Sequence, residues 1–140
     1  MAEVFVQAGT TFETRVQAGN HLLVLDEPES AGGTDRGATP YDLLAAALGG
    51  CTAMTLRFYA NREKIDLTAV AVTVTHDRMH AKDCLDCLSQ QGYIHSFDVK
   101  LRLEGILTEE QRQKLLSIAK RCPVYKTLTN EIRIVETLEE

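Results

Sequence analysis

Tryptophan is absent from the 140 residues, Phe and Tyr number four each, and aromatics reach only 6%. A core must therefore rest on Val, Leu, Ile and Ala. Basic runs are missing too: Asp plus Glu outnumber Lys plus Arg by 20 to 15, a net charge of -5, so no cationic stripe invites nucleic acid. The longest nearly uncharged stretch, Leu43 to Leu56, falls short of the ~20 apolar residues of a membrane span. The Met1 end has no basic segment followed by an apolar one, and the expectation is a cytoplasmic protein that is not exported. What is present, 44% hydrophobic and 25% charged residues, suits one globular domain over 1–140. Four cysteines in such a chain point to reactive, metal-bound or buried thiols rather than a disulfide framework.

Apolar runs at Val4 and Val6, at Phe12 with Val16, and from Leu22 to Leu25 are separated by Gly9, Gly19 and Asn20, the pattern of three short antiparallel strands. Asp26 to Thr39 is rich in Gly and acidic residues and reads as an exposed loop. Thr39 as N-cap and Pro40 at the first position then open a helix to Arg62, with Leu44, Leu48, Cys51, Thr55 and Phe58 on one expected buried face. Alternation at Val70, Val72 and Val74, and at Phe97, Val99, Leu101 and Leu103, gives two longer strands. The polar segment from Asp77 to Tyr93 reads as a long connection between them. A capping box, Thr108 with Gln111, starts a second helix with Leu115, Ala119 and Cys122 on one face, and Pro123 places Cys122 at its C-terminus. Ile132 and Ile134 suggest a last strand before an acidic tail.

Gly49 and Gly50 stand beside Cys51 inside the first helix, where each costs about 1 kcal/mol relative to Ala. Either another segment packs closely there, or a substrate reaches the sulfur past side chains that are absent. For a single Cys on an apolar helix face the pattern favours a small buried thiol in a helix contact, a reading that the glycine pair weakens without overturning.

The run Pro40, Tyr41, Asp42, Leu43, Leu44 through ALGGCTAMTLRFYA, with the later Arg121, Cys122, Pro123 and Val124, resembles the OsmC/Ohr family of thiol-dependent hydroperoxide reductases, in particular its OsmC-like branch. The resemblance implies an α+β fold with antiparallel sheets packed on two helices, an intertwined homodimer, and active sites at the dimer interface. It makes Cys51 the peroxidatic and Cys122 the resolving cysteine, both lining one pocket. Cys51 would become a sulfenic acid while reducing an alkyl or lipid hydroperoxide. A Cys51–Cys122 disulfide would follow, reduced in turn by an external dithiol. Family members pair an Arg with a Glu before the cysteine helix; here Tyr41 and Asp42 occupy that stretch, and the supporting candidates are Arg15, Arg36 and Asp42. Arg57 lies about 120° off the Cys51 face.

Cys84 and Cys87 form a CxxC with His80, His95 and His76 nearby in sequence. This offers a zinc site (His80, Cys84, Cys87, His95), an auxiliary dithiol, or two solvated thiols. The expectation is a protein without cofactor, with zinc as the alternative. A non-catalytic module binding an acyl or thiol ligand, or a metal at the CxxC loop, is the rival to the peroxidase.

Overall fold

Three runs rich in β-branched and long apolar residues, punctuated by glycine, form the first sheet of the computed structural model, which describes residues 2–139. β1 (Val4–Ala8), β2 (Thr14–Ala18) and β3 (His21–Leu25) pair antiparallel in that order. Phe12 lies just ahead of β2, and Gly19, at φ 61°, closes the β2–β3 turn in the left-handed region that glycine tolerates. These strands belong to the first of two compact units, which ends at Leu44.

The Gly-rich loop after β3 is organised around one buried carboxylate. Asp26 accepts hydrogen bonds from the Thr34 hydroxyl at 2.6 Å and from the backbone N–H groups of Glu27, Arg36 and Thr34 at 2.8, 3.2 and 3.3 Å. The Thr34 hydroxyl does most to hold the Asp26 carboxyl below its ordinary value of 3.8, opposed by burial and reinforced by the backbone donors. A lowered folded-state value means that the contribution to stability is fully present above about 3.8 and is lost as pH falls through the lower one. Protection of the Thr34 amide against hydrogen exchange should therefore persist above that pH and collapse below it. In the Asp26→Asn chain this acid step should be missing; an unchanged step would show that another group governs the loop.

α1 (Pro40–Arg62) begins and ends where its signals predict. Thr39 Oγ1 accepts from the Asp42 N–H at 3.1 Å, while Asp42 Oδ2 accepts from the Thr39 N–H at 3.0 Å, a reciprocal cap. As a whole, α1 is long and apolar enough by length and composition to cross a membrane, which its uncharged part alone is not.

The second unit, from Ala45 onward, pairs β4 (Leu67–His80) with β5 (Tyr93–Gly105) in one long antiparallel hairpin. The expected connection from Asp77 to Tyr93 is thus corrected: pairing continues through Arg78↔His95 to His80↔Tyr93, and only 81–92 connect the strands. Aromatic and cationic contacts hold this polar end together, with the Arg78 guanidinium 4.3 Å from the Tyr93 ring centroid and His80 at 4.7 Å from it. Gly105, at φ 141°, lets the end of β5 approach the Asp66 backbone.

α2 (Glu109–Ala119) opens on the predicted capping box, both hydrogen bonds measuring 3.0 Å. Leu56, Ala60, Leu67, Leu115 and Ile118 form the buried core between α1, α2 and the hairpin. α2 stops before Cys122, and a short α3 (Pro123–Leu128) follows that the sequence reading missed. Ile132 and Ile134 form no strand: none of the described strands hydrogen-bonds to them, and both are exposed.

Candidate active site

The buried ridge of α1 is Leu48, Gly49, Thr52, Leu56 and Ala60, rotated from the expected stripe and sharing only Leu48 with it. Thr52 can be buried because its hydroxyl donates to the Leu48 carbonyl at 2.8 Å. Gly49 faces β4, where an added Cβ would lie 3.1 Å from Val74 Cγ2 and 3.5 Å from Val72 Cγ1. The stripe predicted to be buried is instead partly open: Leu44 and Phe58 are exposed, the latter by 69%, and Cys51 and Thr55 are half-buried.

Cys51, Thr55 and Phe58 line an open cleft of about 690 Å³ with Ala46, Ala47, Gly50, Met54, Arg121 and Pro123. A Cβ on Gly50 would meet nothing within 4 Å. The two explanations for the glycine pair therefore divide between the two residues: Gly49 admits the β4 side chains, and Gly50 leaves the wall beside Cys51 bare.

Cys122 lies behind this wall, 0% exposed, and does not itself line the cleft. It caps α3 rather than ending α2. Its Sγ accepts the Tyr125 N–H at 3.4 Å, and Pro123 occupies the first turn, where a missing N–H costs nothing. Cys–Pro at a helix start was the signal in the sequence for α3. Burial first, and then the neighbouring Cys51 thiol, push the Cys122 pKa above the ordinary 9.0, against the pull of the Tyr125 N–H. Cys122 is accordingly a protonated thiol at neutral pH, neighbouring the sulfur that faces the cleft.

Among the cations of the described residues, Arg121 alone lines the cleft with Cys51. In the sequence Arg121 stands out only as the residue before Cys122. Arg57 is engaged elsewhere, donating to the Leu67 carbonyl and, at 3.3 Å, to Asn61. In the first unit, Arg36 forms an ion pair with Glu13 at 3.7 Å, Arg15 stands on β2 opposite Val24 and Gln7, and Asp42 caps α1.

Residues 33–137 match the family model described as OsmC-like protein. The chain belongs to the OsmC-like family. No curated protein matches it. It is similar in fold to the organic hydroperoxide resistance protein OsmC of Legionella pneumophila (21% identity, TM-score 0.69, covering 92% of this chain and 89% of that one). It is similar also to an OsmC-like protein of Mycoplasma pneumoniae (17%, TM-score 0.73, 91% and 86%) and to the organic hydroperoxide resistance protein OhrB of Bacillus subtilis (21%, TM-score 0.63, 92% and 90%). The expected α+β OsmC/Ohr fold is the fold observed.

The remaining cysteines of this OsmC-like chain, Cys84 and Cys87, are joined by a disulfide with a Cα separation of 5.5 Å. Neither His80 nor His95 joins them. Among the described residues, the one group of three or more His, Cys, Asp or Glu with ligand atoms within 4.8 Å of one another is Cys84, Asp86 and Cys87. His95 Nδ1 is instead 2.9 Å from His76 Nε2, and His80 packs on Tyr93.

Proposed function

We propose that this OsmC-like protein is a thiol-dependent organic hydroperoxide reductase. The observation that supports this best is the pairing of two free, neighbouring cysteines, with Cys51 on the wall of an apolar cleft and Cys122 buried. A hydroperoxide ROOH with an alkyl or lipid chain lies along Ala46, Ala47, Met54 and Phe58, the bare Gly50 giving its peroxide group access to the sulfur. The Cys51 thiolate attacks the terminal oxygen, the O–O bond breaks, and the alkoxide leaves as ROH after taking a proton. Cys51 is then a sulfenic acid. The neighbouring Cys122 loses its proton and attacks the Cys51 sulfur, water leaves, and a disulfide forms. An external dithiol supplies the two electrons that restore both thiols.

Arg121 is the cation in this reading. It offers positive charge at the place where a thiolate forms and an anionic leaving group departs, which an apolar wall alone disfavours. Hydroperoxide consumption at saturating dithiol tests both parts: the wild-type chain should reduce cumene hydroperoxide catalytically, and Arg121→Ala should lower that rate by about 10²-fold or more, with Arg121→Lys in between. A wild-type chain that consumes no hydroperoxide would leave the ligand-binding reading in place.

The same reading has the protein work as a homodimer in the cytoplasm, where dithiol reductants are kept reduced. Each unit leaves apolar residues exposed that a second copy would cover: Phe5 and Leu22 on the first sheet of one, and Met54 and Phe58 on α1 with Ile134 in the tail of the other.

A further inference from the structure

The hairpin tip holds a second group of chemically active side chains that hydroperoxide reduction does not use. Ala81 is buried, its N–H donates to the Gly92 carbonyl at 2.9 Å, and the Cys84 N–H donates to the Ala81 carbonyl at 3.1 Å. The end of the hairpin therefore fixes the backbone on which the CxxC begins. Cys84 and Cys87 are half-buried, and the carboxylate oxygen Asp86 Oδ1 lies 3.3 Å from Cys84 Sγ. All three ligand atoms fall within 4.8 Å of one another.

These spacings match a tetrahedron. With Zn–S of ~2.3 Å and Zn–O of ~2.0 Å, the edge between a sulfur and an oxygen ligand is ~3.5 Å and that between two sulfurs ~3.8 Å. The first is close to the observed separation of Asp86 from Cys84. The second would require the two sulfurs to move apart once their bond is broken, on Cα atoms that stand 5.5 Å apart in the disulfide. Two thiolates and a carboxylate are a donor set for a borderline divalent ion, and the exposed Asp86 leaves the fourth corner to water.

We propose that reduction of the Cys84–Cys87 disulfide converts the hairpin tip into a zinc-class divalent metal site formed by Cys84 Sγ, Cys87 Sγ, the Asp86 carboxylate and a water. An external dithiol reduces the disulfide, itself becoming a disulfide. Binding of the ion then displaces the two thiol protons. Oxidation of the two thiolates by a disulfide oxidant re-forms the Cys84–Cys87 bond, reduces the oxidant to two thiols with uptake of two protons, and releases the ion. The site is thus closed by the same bond that the structure shows, and it is independent of Cys51 and Cys122.

Cobalt(II), a spectroscopic stand-in for zinc, tests this. The full chain carrying Cys51→Ser and Cys122→Ser, reduced under argon, should bind one cobalt per chain with the intense visible absorption of a tetrahedral thiolate complex, displaced by zinc. Asp86→Ala should weaken binding by at least about tenfold, since even outer-shell partners of metal ligands are worth that much. Re-formation of the disulfide should abolish the spectrum. If the double Ser background does not fold, the same titration is read as the difference between the wild-type chain and its Cys84→Ser/Cys87→Ser variant. Absence of the tetrahedral spectrum, unchanged affinity in Asp86→Ala, or cobalt retained by the oxidised chain would each overturn the proposal.

Discussion

Cys51→Ser should reduce hydroperoxide turnover to the uncatalysed background, a loss of about three orders of magnitude or more, because a hydroxyl at this position neither ionises near neutral pH nor attacks a peroxide oxygen with a thiolate's readiness. Cys122→Ser should behave differently. Serine is a good N-cap and can accept the Tyr125 N–H as the Cys122 sulfur does, so α3 and the fold should persist. The first equivalent of hydroperoxide should then be consumed at close to the wild-type rate and the chain should halt with Cys51 as a sulfenic acid, since the neighbouring thiol that would resolve it has been removed. Trapping with dimedone reads this directly: one adduct on Cys51 in Cys122→Ser, and none in Cys51→Ser. Equal first turnovers in the wild type and Cys51→Ser would remove Cys51 from the chemistry.

Gly49 and Gly50 should respond in opposite ways to an added side chain. Gly49→Val places branched carbons where a single Cβ is already 3.1 Å from Val74 Cγ2, and overpacking of this kind costs about 1–3 kcal/mol. Gly50→Ala meets nothing within 4 Å and should gain up to about 1 kcal/mol through the helix preference for Ala. Gly50→Leu should stay folded yet lose hydroperoxide turnover, its side chain occupying the wall beside Cys51. Denaturant midpoints and turnover measured on the three variants separate stability from access. A folded Gly50→Leu chain with full turnover would show that the substrate approaches from elsewhere.

Local chemistry made much of this structure legible in advance. The Thr39–Pro40 start, the Thr108–Gln111 box and the glycine-punctuated strands are decided by neighbours in sequence, and α1 and α2 begin at the expected residues. The rest depends on long-range partners. The apolar stripe through Cys51 looked like a core face, but Gly49 and Thr52 turn the helix against β4 and α2, leaving that stripe as the cleft wall. The far end of the hairpin is polar in sequence and paired in space, because stacked rings and a cation over Tyr93 replace the aliphatic alternation that marks a strand. Ile132 and Ile134 carry the strand alternation with no described strand to receive it. That Cys51 and Arg121 line one cleft depends on the fold, since nothing in sequence tells which cation faces a sulfur far away along the chain.

The most direct measurement counts thiols. Fully reduced protein treated with one equivalent of cumene hydroperoxide, quenched by alkylation and mapped by peptide mass, should lose two free thiols per chain and yield a Cys51–Cys122 linked peptide. Pre-forming the Cys84–Cys87 disulfide should leave that result unchanged. Retention of both Cys51 and Cys122 as alkylated thiols after exposure to hydroperoxide would contradict the account.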